Sequence, residues 1–159
     1  MMAGKVQPIP EGYRSVTPYL IVKGAARAIE FYQRAFGAKE LMRLDAPKGR
    51  IGHAEVMIGD SRIMLADEHP EMGAFAPQLE GRQPISLYVY VSDVDATIGR
   101  AIEAGGELTE PVQDKFYGDR SGAFTDPFGH SWYVSTHIED VSPDEMRRRA
   151  RAAMEKAAG

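Results

Sequence analysis

A chain of 159 residues, 43% apolar and 26% charged, holds enough hydrophobic material for a buried core in one domain or in two small modules that share one. It has no cysteine, which excludes disulfides, a thiolate nucleophile and zinc–thiolate sites, and its formal net charge of −4 argues against a general binder of phosphate backbones. The start, Met1-Met2-Ala3-Gly4-Lys5-Val6-Gln7-Pro8, lacks a signal-like apolar run and no stretch reaches membrane-spanning length, so the expectation is a cytoplasmic protein without nucleic-acid or membrane partners.

Residues 1–14, with Pro8, Pro10 and Gly12, read as a loose arm. Val16-Thr17-Pro18-Tyr19-Leu20-Ile21-Val22 reads as a strand, with Pro18 marking an edge or a first position because proline has no N–H for a ladder. After Lys23-Gly24, Ala25, Ala28, Ile29, Tyr32 and Phe36 make one apolar face of a helix over Ala25–Phe36. Gly37 is placed to end it in left-handed geometry. Lys39–Asp45 is a second strand, Ala46-Pro47-Lys48-Gly49 a turn, and a hairpin from Ile51 to Ala66 folds about Gly59-Asp60-Ser61. The order over residues 15–68 is therefore βαβββ.

Residues 69–84 hold Pro70, Gly73, Pro77 and Gly81 and read as a linker. Within it Met72, Phe75 and Leu79 form either a lid or a short helical turn on the surface. The second module, residues 85–138, opens with the strand Ile85–Val91. Ser92-Asp93-Val94-Asp95 then caps a helix over Val94–Ala104, Gly105-Gly106 ends it, and Glu107–Val112 is the next strand. The stretch Phe116–His137, FYGDRSGAFTDPFGHSWYVSTH, closes the module as a hairpin. Its turn, Asp126-Pro127-Phe128-Gly129, uses proline to fix φ and glycine to accept positive φ.

Gly59 and Gly129 are 70 residues apart, while Leu20 and Val89, Ile29 and Ile98, and Gly37 and Gly106 are each 69 apart. One plan is used twice. Residues 139–159 add a helix: Ser142-Pro143-Asp144-Glu145 reads as a capping box ahead of Met146–Ala158. Asp144, Glu145 and Glu155 balance Arg147, Arg148, Arg149 and Arg151, which favours a solvated or intersubunit helix over a nucleic-acid surface.

Strand alternation puts Tyr133, Ser135 and His137 on one face and Trp132, Val134 and Thr136 on the other. With Tyr19, Tyr88 and Tyr90, also expected on central strands, such residues suit a flat or aromatic small molecule held by stacking and a few hydrogen bonds. The bland alternative is a filled core whose polar tips are satisfied internally. Arg120 either grips an anionic ligand with its planar fork or pairs with Asp119, Asp126 or Glu55. His53 and Glu55, two apart on a strand, share a face as either a structural pair or part of a metal site. His130 is expected to brace its hairpin, and His137 to end its strand facing solvent.

Two tandem βαβββ modules resemble the glyoxalase/bleomycin-resistance/extradiol-dioxygenase superfamily, the vicinal oxygen chelate proteins. The likeness covers about Val16–His137. It is carried by Thr17–Val22, by Phe31-Tyr32-x-x-x-Phe36-Gly37-Ala38, and by Tyr117-Gly118-Asp119-Arg120 followed by Phe124-Thr125-Asp126-Pro127-Phe128-Gly129-His130-Ser131-Trp132. The resemblance implies an α+β fold in which the modules form curved mixed β-sheets around a cavity, and it implies a homodimer. Members include isomerases, lyases, oxygenases and non-catalytic drug-sequestering proteins, so whether this chain catalyses a reaction stays open.

Metal-dependent members place histidine, glutamine or glutamate on the first and fourth strand of each module. Carried over by position, those slots fall near Thr17 and Ser86, near Met64 or Leu65, and near Tyr133, none of them a good ligand for a divalent ion. The expectation is therefore binding, without metal or other cofactor, of a small, partly aromatic or anionic molecule in the inter-module cavity. The residues expected to bind it are Thr17, Tyr19, Glu55, Ser86, Tyr88, Arg120 and Tyr133. The alternative is a metal-dependent lyase, isomerase or dioxygenase with its metal relocated near His53 and Glu55.

Overall fold

The computed structural model describes residues 6–78 and 83–158, so residues 1–5 of the arm, Leu79 and Gly81 of the linker, and Gly159 lie outside the described residues. The chain divides into two compact units, Met1–Gln78 and Leu79–Gly159. In the first, the order is β1 (Tyr19–Val22), α1 (Ala25–Phe36), β2 (Lys39–Asp45), β3 (Ile51–Ile58) and β4 (Ser61–Asp67). The strands lie in the order β1-β4-β3-β2, with β1 parallel to β4 and the other pairs antiparallel.

β1 begins later than Val16 because Pro18 brings no N–H to the ladder; its carbonyl alone joins, accepting from the Met64 amide at 2.9 Å. The apolar stripe of α1 packs on β1, β3 and β4. It buries Ala25, Ala28, Ile29 and Tyr32 with Val22, Val56 and Leu65. Gly37, at φ 68°, ends the helix as the sequence predicts. Its other end has no side-chain cap of its own. Asp67, buried at the end of β4, does that work from a distance: its carboxylate accepts from the amides of Gly24 (2.8 Å), Ala25 (2.9 Å) and Ile51 (2.7 Å).

The second unit repeats the plan with β5 (Ser86–Tyr90), α2 (Val94–Glu103), β6 (Glu107–Asp114), β7 (Asp119–Thr125) and β8 (Ser131–His137), then α3 (Pro143–Ala158). Its sheet has the matching order β5-β8-β7-β6, with β5 parallel to β8. β1 and β5 are thus edge strands rather than central ones. Val94, Ile98 and Ala101 of α2 are buried with Phe124, Trp132 and Val134. The rings of Phe124 and Trp132 stack 6.5 Å apart. Asp126 holds the hairpin turn: it accepts from the amides of Phe128 (2.9 Å) and His130 (3.0 Å) and from the buried Trp132 indole (2.9 Å).

Helix caps follow the sequence in part. Asp93 accepts from the Ala96 amide at 3.0 Å and caps α2. Ser142 caps α3 by accepting from the Glu145 amide at 3.2 Å, but the Glu145 carboxylate turns to Arg148 and Arg149 instead of closing a capping box. In the linker, Pro70–Met72 forms a short 3-10 turn beside a bridge between His69 and Ala74, with Met72 and Phe75 exposed. Among the described residues, no helix is long and apolar enough to cross a membrane.

Candidate functional site

The pleat decides which side chains lie on the face of each sheet turned away from its helix. In β7 and β8, Phe124, Trp132 and Val134 turn inward against α2, and Asp119, Ser121, Tyr133, Ser135 and His137 occupy the opposite face. The register set by the Asp126–Gly129 turn places Asp119 directly opposite His137 and Ser121 opposite Ser135. On the neighbouring edge strand, Ser86, Tyr88 and Tyr90 share this face, with Tyr88 beside Tyr133.

These residues close into one network around Asp119, which is only 3% exposed. Its Oδ2 accepts from the hydroxyls of Tyr88 (2.8 Å) and Tyr90 (2.9 Å), and its Oδ1 bonds His137 Nδ1 at 2.8 Å. The other ring nitrogen of His137 reaches Asp140 at 2.7 Å. Ser135 Oγ lies 2.7 Å from both the Tyr88 hydroxyl and Ser121 Oγ. The rings of Tyr88 and Tyr133 stack with centroids 5.9 Å apart, and Tyr90 tilts against Tyr88 at 5.2 Å.

Gly118 makes the approach possible. Its carbonyl accepts from the amides of Ile138 and Glu139, and a Cβ there would sit 2.2 Å from the Glu139 carbonyl oxygen, at a φ of +98°.

Electrostatics follow from this packing. Burial pushes the Asp119 carboxyl up, but the bonds from His137, Tyr88 and Tyr90 outweigh it and leave the group below its ordinary value. His137 is raised, chiefly by its bond to Asp119 and then by its bond to Asp140. The phenols resist ionisation: burial raises Tyr88, the bond to Asp119 raises Tyr90, and burial together with the Tyr88 phenol pushes Tyr117 up to about 12.

The first unit builds a separate cluster on the corresponding face. Glu55, buried on β3, is bonded by the Tyr13 hydroxyl, by His53 Nε2 at 2.8 Å and by Arg62 at 3.5 Å. With the carboxylate accepting at Nε2, His53 Nδ1 is left to accept from the Tyr19 hydroxyl at 2.8 Å. Arg62 also donates to the Gly12 carbonyl at 3.0 Å and lies 4.5 Å from the centre of the Tyr13 ring. Gly12 and Tyr13, expected in a loose arm, are therefore tied to the sheet.

Of the seven residues read from sequence, the structure joins Tyr19 to Glu55 through His53, and Tyr88 to Tyr133 by stacking. Thr17 is half-buried ahead of β1, and Ser86 is exposed opposite Ser131. Arg120 belongs to neither cluster. Its guanidinium grips Asp95 at the start of α2 (2.8 and 3.0 Å) and Asp114 (3.0 Å), rather than Asp119 or Asp126. Tyr90 and His137, which alternation already puts on the faces of Tyr88 and Tyr133, join this network, whereas Asp119, Tyr13 and Arg62 have no place among the residues expected to bind a ligand. Alternation and register counted back from the Asp126–Gly129 turn would have paired Asp119 with His137.

A divalent cation at His53 and Glu55 would have to displace partners that these side chains already hold. Both nitrogens of His53 are already bonded, and Glu55 shares its oxygens with Arg62, whose charge opposes a cation. Among the described residues no three His, Asp or Glu side chains converge as a cation site requires.

The model of the Glyoxalase/Bleomycin resistance protein/Dioxygenase superfamily matches residues 14–134. An uncharacterized protein of Mycobacterium bovis, Mb0911c, is 37% identical over 149 residues, which is 92% of this chain and 94% of that one. Among solved structures, TioX from Micromonospora sp. ML1 is 28% identical with a TM-score of 0.61, over 79% of this chain and 99% of that one. PA1353 from Pseudomonas aeruginosa is 29% identical with the same TM-score and the same coverage. The chain belongs to the glyoxalase/bleomycin resistance protein/dioxygenase superfamily.

Proposed function

We propose that this protein binds a small, partly aromatic organic molecule by direct contact, without a coordinated metal, and that the tyrosine face of its second unit is a principal contact surface. The observation that carries this reading is the Asp119 network. Tyr88 and Tyr90 remain 45% and 61% exposed although their hydroxyls are tethered to a buried carboxylate. Anchored, half-exposed rings offer stacking area with little rotamer entropy left to lose. A core-filling role would instead bury them, as it buries Phe124 and Trp132.

Donor chemistry supports binding by contact. The slots to which family members bring metal ligands carry hydroxyl, thioether or aliphatic groups here, and the His53–Glu55 pair is consumed by Tyr13, Tyr19 and Arg62. Anion capture by Arg120 loses its basis, because Asp95 and Asp114 occupy the guanidinium. A cytoplasmic homodimer is the expected assembly, and light scattering on the purified protein measures its mass.

Thermal-shift screening against a panel of flat organic compounds, followed by calorimetry on those that respond, tests the function. Saturable, stoichiometric binding lost in Tyr88→Ala supports it. A flat response across the panel contradicts it.

A further inference from the structure

We infer that the tyrosine face of the second unit is selective for organic cations, of the amidinium, guanidinium or aryl-ammonium class, and rejects anions. The inference rests on the small-molecule reading above and narrows it.

An ionised carboxylate can only accept, so Tyr88 and Tyr90 must both donate to Asp119. A phenol has one proton, so the Tyr88 oxygen is an acceptor towards Ser135, and Ser135 spends its own proton there. Ser135 Oγ also lies 2.7 Å from Ser121 Oγ, and the run from Ser135 through Tyr88 to the carboxylate is one-way. His137 adds no donor for a ligand, because its two nitrogens face Asp119 and Asp140. The Tyr88 oxygen is also engaged by Ser135 and by the Tyr117 phenol, so Tyr88 offers a ring face, while Tyr90 offers a ring face and an oxygen lone pair. Donation into the carboxylate makes the phenol oxygens more electron-rich.

Such a surface meets an incoming anion with acceptors against acceptors. A flat cation is matched three times over: an N–H group meets the Tyr90 phenol oxygen, its charge meets the ring faces, and Asp119 with Asp140 outweighs His137 even when the imidazole is charged. Raised phenol pKa values keep the tyrosines neutral at physiological pH, so the negative field comes from the carboxylates alone.

The test titrates the full chain, labelled at its tyrosine rings, with benzamidinium, with the near-isosteric benzoate, and with neutral benzamide, followed by NMR. Benzamidinium is expected to shift the Tyr88 and Tyr90 signals saturably, at least about tenfold more tightly than benzoate, and to weaken as salt is raised. Tyr90→Phe keeps the ring and removes the oxygen acceptor, and is expected to weaken benzamidinium severalfold without improving benzamide. Benzoate binding these tyrosines as tightly as benzamidinium overturns the cation preference and leaves small-molecule binding standing. If none of the three moves these signals, the inference fails; a flat response from the wider panel as well removes the broader reading with it.

Discussion

Replacing Asp119 with asparagine keeps the shape of the network and removes its charge. Two phenols donate to the carboxylate at 2.8 and 2.9 Å. Hydrogen bonds to a charged group are worth ~1.5–3 kcal/mol each, and the low end applies because both rings reach solvent. Both phenols bond the same oxygen, so an amide oxygen kept there holds them as neutral bonds of ~1 kcal/mol each, while the NH2 group replaces Oδ1 and leaves the His137 Nδ1–H, another bond of ~1.5 kcal/mol, without its acceptor. The net loss is about 2 kcal/mol, or a fall of about 4–8 °C in Tm for a chain of this size. Circular dichroism melts at neutral pH measure it.

The pH profile separates this network from generic packing loss. His137 is raised above 6.5 in the fold, so its linked stabilisation is complete below that value and fades as pH rises through the folded pKa. Asp119, held below 3.8, contributes stability above that value which is lost as pH falls through its folded pKa. Asp119→Asn is expected to flatten the alkaline loss and to lower the His137 pKa seen by NMR. A Tm within about 1 °C of the parent, with an unchanged His137 titration, would refute the reasoning.

Asp126→Ala strips three donors of their acceptor, one of them the buried indole of Trp132, and is expected to cost about 3–5 kcal/mol, read as a lower urea midpoint at constant m. Tyr13→Phe removes a hydroxyl bonded to Glu55 and should speed proteolysis near Gly12 while shifting Tm by less than about 3 °C. Arg149→Ala frees α3 from Glu139 and the Phe116 carbonyl. Amide exchange across α3 is expected to rise with global stability unchanged, because exposed ion pairs contribute little.

How much of this was legible in the sequence differs between fold and site. The repeat was, because the spacing between Gly37 and Gly106 is the spacing between Leu20 and Val89, and each half folds in the same strand order. The face of β8 was also legible, since period-two alternation separates Tyr133, Ser135 and His137 from Trp132 and Val134. Arg120 went astray for the same reason: its sequence neighbour Asp119 points through the opposite face, and its partner Asp95 arrives only when α2 packs on the sheet. Glu55 was legible as a partner of His53, but Tyr13, 42 residues away, reaches it by a return of the chain that no local pattern encodes. Asp67 likewise caps α1 from 42 and 43 residues away. Contacts of that range are written in tertiary packing, not in periodicity.

The measurement that bears most directly on binding by contact is a calorimetric titration of a responding compound, run on metal-stripped protein with and without a chelator. Binding by contact requires the same affinity and stoichiometry in both. Binding that vanishes with the chelator and returns with one equivalent of a divalent ion would contradict it.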